Sequence, residues 1–399
     1  MRSPVRRVPL LADDYITVFR SPDPRRVYAY TPGLLRLPSG RLIATLDLGG
    51  PGVIELPGPK ALRGEGPHAW QGRILISDDD GLSWRETAKF PFFHARPFLA
   101  GSSVYVLGHA GDLTIIRSDD EGETWSAPVQ FTRNEWWHQS ACSVVHARGH
   151  VYLVMEKLIG PPNRTKCATL SPVVMAGREE ADLTDRAQWR FSEEKMYVEL
   201  AAGASLIGVP FRSGSGFTPG WLEANLVAVY DPAHPWYDPE FRTFYLFMRA
   251  ANAPPNLACI ARVQEHPDGT MRLTHATMPT GSPIAYIPCP GGHMKFYILY
   301  DPLSRLYWLL SSQSTDSFSG PFERHRLALH YSKNLVDWQM AGMVAMGPSP
   351  GQARHYASMV VSGDDLLILS RSGTAAAKSA HDGDIISLHR VERFRELVY

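Results

Sequence analysis

The chain has 399 residues, 44% of them hydrophobic, and its 16 Tyr, 16 Phe and 10 Trp supply side chains for a large core. Forty basic residues balance forty acidic ones, which leaves no electrostatic footprint for nucleic acid. No apolar run reaches the 18 residues of a membrane span, and Met1 to Leu11 carries Arg2, Arg6 and Arg7 without the apolar stretch of a secretory leader. The expectation is a cytoplasmic protein with no membrane partner. Cys142, Cys167, Cys259 and Cys289 are scattered with no C-x-x-C pair, so they read as buried free thiols, and no metal or cofactor is implied.

In chain order, the pattern is a repeated hairpin followed by a further strand. The six predicted hairpins pair Leu34–Leu37 with Leu42–Leu46, Pro97–Leu99 with Val104–Leu107, Ser143–Val145 with Val151–Met155, Leu226–Tyr230 with Thr243–Met248, Phe296–Tyr300 with Leu306–Leu310, and Met359–Val361 with Leu366–Leu369. Gly, Pro, Asn and Asp turns separate them. The strands that follow are Arg73–Ser77, Leu113–Ser118, Ala168–Ala176, Ala258–Gln264, Arg326–Ser332 and Asp384–Val391. Repetition at about 40–50 residues points to an all-β, six-bladed propeller spanning residues 1–399 as one domain. Tyr15–Ser21 precedes the first hairpin and is predicted to close the last blade, which removes a free sheet edge. Two packed β-sandwiches are the alternative.

A turn motif recurs between third and outer strands. Ser77-Asp78-Asp79-Asp80-Gly81-Leu82-Ser83-Trp84 and Ser118-Asp119-Asp120-Glu121-Gly122-Glu123-Thr124-Trp125 both read S-x-D-x-G-x-[ST]-W. A weaker copy is Ser332-Lys333-Asn334-Leu335-Val336-Asp337-Trp338. The Asp can bond backbone N–H groups across a tight turn, and the Gly can take the positive φ that such a turn demands. The motif resembles the Asp-box of the sialidase (neuraminidase) superfamily, a six-bladed β-propeller family in which the element is structural and lies away from the active site. The resemblance implies the fold; it does not by itself imply a reaction.

Propeller topology then selects candidate site residues, because the start of each inner strand and the end of the second strand meet at one mouth. That rule collects Tyr30, Asp47, His94, Arg96, His109, Trp137, His138, Glu156, Trp221, Glu223, Arg249, His293, Lys295, Ser312, His355, Tyr356 and Arg371. The sialidase resemblance assigns roles to some of them. Tyr356, in Tyr356-Ala357-Ser358-Met359, fits the family's nucleophilic Tyr, and Glu223 fits the carboxylate that takes its proton. Arg249 and Arg324 fit two of the family's three arginines and suit a substrate carboxylate. Tyr30-Thr31-Pro32 stands where the family has its first Arg, and no Asp lies between Gly49 and Ser77, so Asp47 or His68 is expected to be the acid. Tyr30, His94, Arg96, His138, Trp221, His293, His355 and Arg371 are expected to line the substrate.

The resemblance, carried onto these residues, implies a sialidase-like exo-glycosidase acting on a terminal, acidic sugar of an oligosaccharide or glycoconjugate. Two further readings follow from the same residues. One is a polysaccharide lyase or His-dependent hydrolase on uronate-containing glycans, using His94, His138, His293 or His355 with Tyr and Arg. The other is a glycan-binding propeller without catalysis.

Overall fold

The computed structural model describes residues 9–62, 68–160, 166–201, 219–251, 255–316 and 323–399. It is nearly all β, and the described strands form six antiparallel blades arranged as a β-propeller. Blade one runs from the inner strand Tyr28–Arg36 through Leu42–Gly49 and Ala69–Ser77 to Arg85–Phe90. Blade two is Phe93–Ala100, Ser103–Ala110, Asp112–Ser118 and Val129–Gln130. In blade three the inner strand is broken: Trp137–His138 and Val145–Ala147 both pair with His150–Leu158, followed by Leu170–Arg178 and Trp189–Phe191. His146 thus belongs to a strand, not to the turn expected from sequence. Blade four is Gly220–Val227, Thr243–Ala251, Leu257–Glu265 and Met271–Thr274; blade five is Tyr297–Asp301, Leu306–Ser311, Arg326–Ser332 and Gln339–Met346.

Blade six is made from both ends of the described chain. Arg354–Ser362, Asp365–Ser372 and Ile385–Val391 are completed by Ile16–Arg20, with Ile16 opposite Leu388 and Arg20 opposite Ile385. The expected closing strand is therefore in place.

Burial explains the composition of the strands. The second strands Leu42–Gly49 and Leu306–Ser311 are buried along their whole length, because a neighbouring blade covers each face of the sheet. The outer strand Arg85–Phe90 has two exposed residues, three half-buried ones and a buried Phe90, and it reads as polar. Apolar clusters fill the seams between successive blades. Ile43 and Ile74 meet Val104 and Ile116 between blades one and two, for example, and Leu42 and Ala44 meet Leu367 and Leu369 across the closing seam.

The two full turn motifs have the same internal bonding. In the first, the Ser83 amide donates to Asp79 Oδ1 at 2.8 Å, the Gly81 amide to Ser77 Oγ at 2.9 Å, and the Trp84 indole to the Gly81 carbonyl at 3.0 Å. In the second, the matching distances for Thr124, Gly122 and Trp125 are 2.9, 2.8 and 3.1 Å. Gly81 has φ +92°, and a Cβ there would sit 2.3 Å from Leu388 Cδ2, so both conformation and packing require glycine. The third copy is one residue shorter. Asn334 still accepts from the Asp337 amide at 2.9 Å, but the Trp338 indole N–H is buried without a partner among the described residues.

Candidate active site

Four inner strands share one local irregularity. Pairing slips between Tyr30 and Gly33, Phe93 and Arg96, Leu222 and Asn225, and His355 and Ser358. At each slip one non-glycine residue has a positive φ: Thr31 (44°), His94 (54°), Glu223 (57°) and Tyr356 (51°). Such a conformation costs on the order of 1–3 kcal/mol and is sustained only by surrounding structure. The bulge re-aims a side chain that strict alternation would point elsewhere.

Two buried carboxylates hold two of these bulges, those at His94 and Glu223. Asp47 Oδ2 accepts from the His94 amide at 2.8 Å, and Glu156 Oε1 accepts from the Ala224 amide at 3.0 Å. In each case the second strand of one blade braces the inner strand of the next. Burial pushes the pKa of Asp47 up to about 8, against the opposing hydrogen bond from the His94 backbone. Asp47 is fully buried and braces the His94 bulge, so the expected acid does not face solvent at the mouth.

Around Tyr356 the bonds converge on Arg249. One guanidinium nitrogen, Nη1, donates to the Tyr356 hydroxyl at 2.5 Å and to Glu223 Oε2 at 3.2 Å, while Nε donates to the His293 carbonyl at 2.9 Å. Ser140 Oγ donates to Glu223 Oε1 at 3.2 Å. Burial alone would raise the pKa of Glu223. The Arg249 charge, His138, and hydrogen bonds from Tyr356 and Arg249 outweigh it and hold the carboxyl below its ordinary value. Tyr356 moves the other way: burial, assisted by the Glu223 charge, raises it despite the arginines. A protonated phenol therefore stands beside an ionised carboxylate.

Two more arginines face the Tyr356 ring. Arg324 lies 5.9 Å from its centroid and meets His355 Nδ1 at 3.2 Å. The Arg371 guanidinium lies 5.2 Å from the Tyr356 centroid and 4.1 Å from that of Tyr30. Its Nη2 donates to the His381 carbonyl, and burial lowers its pKa to about 10. The Tyr30 hydroxyl donates to Asp382 Oδ1 at 2.7 Å, and His381 Nδ1 meets the same oxygen at 2.7 Å. Tyr30 thus occupies the expected place of an arginine but carries one, Arg371, on its ring face.

A His-rich wall lies on the opposite side. His94 Nδ1 is 3.0 Å from His109 Nε2, His138 Nδ1 is 3.0 Å from Glu156 Oε2, and the His94 and His138 rings are 5.0 Å apart. Trp70 packs against Tyr30 at 5.3 Å, Phe93 at 4.9 Å and His94 at 5.9 Å. Among the described residues, no group of three or more His, Cys, Asp or Glu is placed to hold a metal.

Several expected lining residues lie elsewhere. Trp221 packs in the core between blades three and four and donates its indole N–H to the Leu170 carbonyl at 2.6 Å; the bulge at Glu223 breaks the alternation that would have put both on one side. Arg96, two residues beyond the His94 bulge, points into the channel beneath the mouth. His355 is fully buried behind Tyr356, and His293 contributes its backbone carbonyl to Arg249. His68 is exposed just before the third strand of blade one, which starts on the mouth face. Trp70, Ser140, His381 and Asp382 were not anticipated. His381 and Asp382 sit between the second and third strands of blade six, a stretch that a rule based on strand ends does not examine.

No protein-family model matches the chain, and no curated protein matches it in sequence. Solved structures do share its fold. An α-L-arabinanase from Penicillium chrysogenum, complexed with arabinobiose, is 13% identical over 97% of this chain and 99% of its own, with a TM-score of 0.54. A Hadza microbial sialidase is 14% identical over 95% of this chain and 68% of its own, with a TM-score of 0.59. The Trypanosoma rangeli sialidase in complex with sialic acid is 12% identical over 95% of this chain and 58% of its own, with a TM-score of 0.54. The chain is a six-bladed β-propeller of the sialidase-like kind, a fold it shares with these glycoside hydrolases.

Proposed function

We propose that the protein is an exo-acting glycoside hydrolase that removes a terminal, carboxylate-bearing sugar through a tyrosine nucleophile. The observation that carries this reading is the Arg249 guanidinium shared between the Tyr356 hydroxyl, at 2.5 Å, and Glu223, at 3.2 Å. A phenol is a weak nucleophile until its proton has somewhere to go, and Glu223 is an ionised acceptor beside it. Tyr356 Oη would bond to the anomeric carbon as its proton moves to Glu223 and the glycosidic C–O bond breaks. The leaving oxygen would take a proton from the acid. Water would then displace Tyr356 from the anomeric carbon, losing a proton to the deprotonated acid, while Glu223 returns its proton to the phenolate. Net retention results. Arg249, Arg324 and Arg371 suit the substrate carboxylate.

His68 is the proposed acid. It is exposed and precedes the strand whose Trp70 packs on Tyr30 and His94. Substituting it should slow substrates with poor leaving groups and spare activated aryl glycosides; the control is His381, which lies 5.7 Å from the Tyr30 ring.

The paired His94 and His109 favour a second reading, proton abstraction next to a uronate carboxylate in a lyase reaction. Incubation with a panel of aryl glycosides and acidic oligosaccharides separates the two. A hydrolase yields a new reducing end, a lyase yields an unsaturated sugar absorbing in the near ultraviolet, and a protein that only binds glycans yields neither. Either of the last two outcomes rejects the proposed hydrolase.

A further inference from the structure

The hydrogen-bonded cluster at the mouth ends at the level of the bulges. Beneath it, along the propeller axis, lies a cavity of about 590 Å³ that opens on the face carrying the hairpin turns. Its walls include the apolar Leu34, Pro97, Leu299 and Met359, and Arg36, His146, Asp301 and Arg395 also line it. Its inner end is polar, formed by Arg96, Cys142 and Ser358.

Arg96 is only 1% exposed, yet its partners are few. Nη2 donates to the Ser140 carbonyl at 3.3 Å, while Nε and Nη1 have no hydrogen-bond partner among the described residues. A second cation, Lys295, is 2% exposed. Its ammonium donates to the Ala357 carbonyl and, at 3.3 Å, to the hydroxyl of Ser358, a residue that itself lines the cavity. Burial depresses Lys295, to about 8, against the pull of the Glu223 carboxylate. The Cys142 thiol, pushed up to about 12 by burial, stays neutral and offers no counter-charge.

The nearby carboxylates are engaged elsewhere. Glu156 accepts from the Ala224 amide and pairs with His138; Glu223 is held by Arg249 and Ser140. Arg96 therefore lines the inner end of the cavity, Lys295 is buried behind Ser358, and neither cation has an ion-pair partner among the described residues, although the charge of Glu156 reaches Arg96 and that of Glu223 reaches Lys295. Buried charge is costly unless it is paired and hydrogen-bonded, and unmet guanidinium N–H groups add to that cost.

We propose that the inner end of this channel binds a small monovalent anion, a halide or a carboxylate no larger than acetate, against Arg96, with Lys295 behind Ser358 as a second positive charge. This site is separate from the Tyr356 mouth and does not depend on the reaction assigned there. An anion would supply acceptors to Arg96 Nε and Nη1 and a charge to both cations; the Ser358 hydroxyl, which already donates to the Pro32 carbonyl at 2.8 Å and accepts from Lys295, is a wall of the site and not a donor to it.

Bromide is the direct probe. Crystals of the full chain grown in sodium bromide, measured at the bromine absorption edge, should show an anomalous peak about 3.2–3.6 Å from Arg96 Nε or Nη1. Acetate should erase that peak by competition if carboxylates share the site; a peak that persists restricts it to halides. In solution, chloride or bromide should raise the melting temperature above that in a bulky sulfonate at equal ionic strength. The rise should be about 1–4 °C at a hundred-fold excess over Kd. Arg96→Met should abolish that dependence, and Lys295→Met should weaken it. If Arg96→Met does not fold, the wild-type peak and melting curves decide. No peak at Arg96, together with melting that is indifferent to the anion, overturns the proposal and leaves a water-filled channel.

Discussion

The two faces of the propeller solve the same problem, holding a strained backbone in place, by opposite means. On the turn face each full S-x-D-x-G-x-[ST]-W copy is self-sufficient. The Asp, the Ser, the Gly carbonyl and the Trp that form the turn lie within eight consecutive residues, and the positive φ angles fall on a glycine and the acidic residue just before it, Asp80 or Glu121. At the mouth the strain falls on Thr31, His94, Glu223 and Tyr356, and the groups that brace them come from other blades. Asp47 of blade one holds His94 of blade two, and Arg249 of blade four holds Tyr356 of blade six. A local device can be copied around the ring. A distributed one must be built once, and it leaves its side chains free for chemistry.

The sharpest way to break this comparison is to change the mouth by one atom. Tyr356→Phe should lower turnover by about three orders of magnitude or more while substrate affinity stays nearly unchanged, because the lost hydroxyl acts mainly in the transition state. Steady-state kinetics beside equilibrium binding read this out. A near-normal rate would make Tyr356 a stacking platform and not a nucleophile.

Next in size is the brace itself. Arg249→Leu removes the partner of the buried Glu223 and should cost about 3–5 kcal/mol of stability in denaturant titration, because an uncompensated charge remains inside. A loss below 1 kcal/mol would show that the mouth does not depend on that pair.

The turn face should respond in stability alone. Trp125→Ala should cost about 1–4 kcal/mol through a lost indole bond and lost ring packing, with substrate preference unaltered. Altered specificity at unchanged stability would put the turn in the site. The shorter third copy gives the smallest effect. Trp125→Phe forfeits a bond and should cost about 1 kcal/mol, whereas Trp338→Phe removes an unpartnered buried N–H and should be neutral or stabilising.

Acid should sharpen the contrast further. Hydrogen bonds from the Ser83 hydroxyl and amide lower Asp79 to about 2, and those from Thr124 do the same for Asp120, both from an ordinary 3.8. A depressed carboxylate stabilises above its unfolded pKa, and that contribution is lost as pH falls from about 4 toward 2. Melting temperature against pH should therefore drop across that window, and Asp120→Asn should flatten the drop. An unchanged slope would exclude the turns as its source.

The same division governed what could be read from sequence. The turns, the hairpins and the closing strand were legible because each rests on residues close in sequence or on a period. Tyr356, Glu223, Arg249 and Arg371 were legible because topology brings strand ends together. The bulges were not. The four residues with positive φ have four different identities, none of them the glycine that announces this conformation, and their support comes from distant strands. Trp221 was misplaced for that reason: a rule based on strand starts does not see the bulge between Leu222 and Asn225, which puts Trp221 and Glu223 in different surroundings. His381 and Asp382 were missed because a loop's path depends on what it packs against, here Tyr30 and Arg371.

The seam of blade six also sets an order of events during synthesis. Ile16–Arg20 is the first of the described strands to leave the ribosome, and its partner Ile385–Val391 is the last of them. At 5–20 residues per second the first strand waits on the order of half a minute with its pairing edge open. Blades two to five can assemble in that interval, but the ring cannot lock. The unlocked intermediate is therefore the stage at which a chaperone or a protease has most access to the chain. A ribosome-stalled chain ending before Ile385 should be degraded at the N-terminal strand far faster than one released at full length.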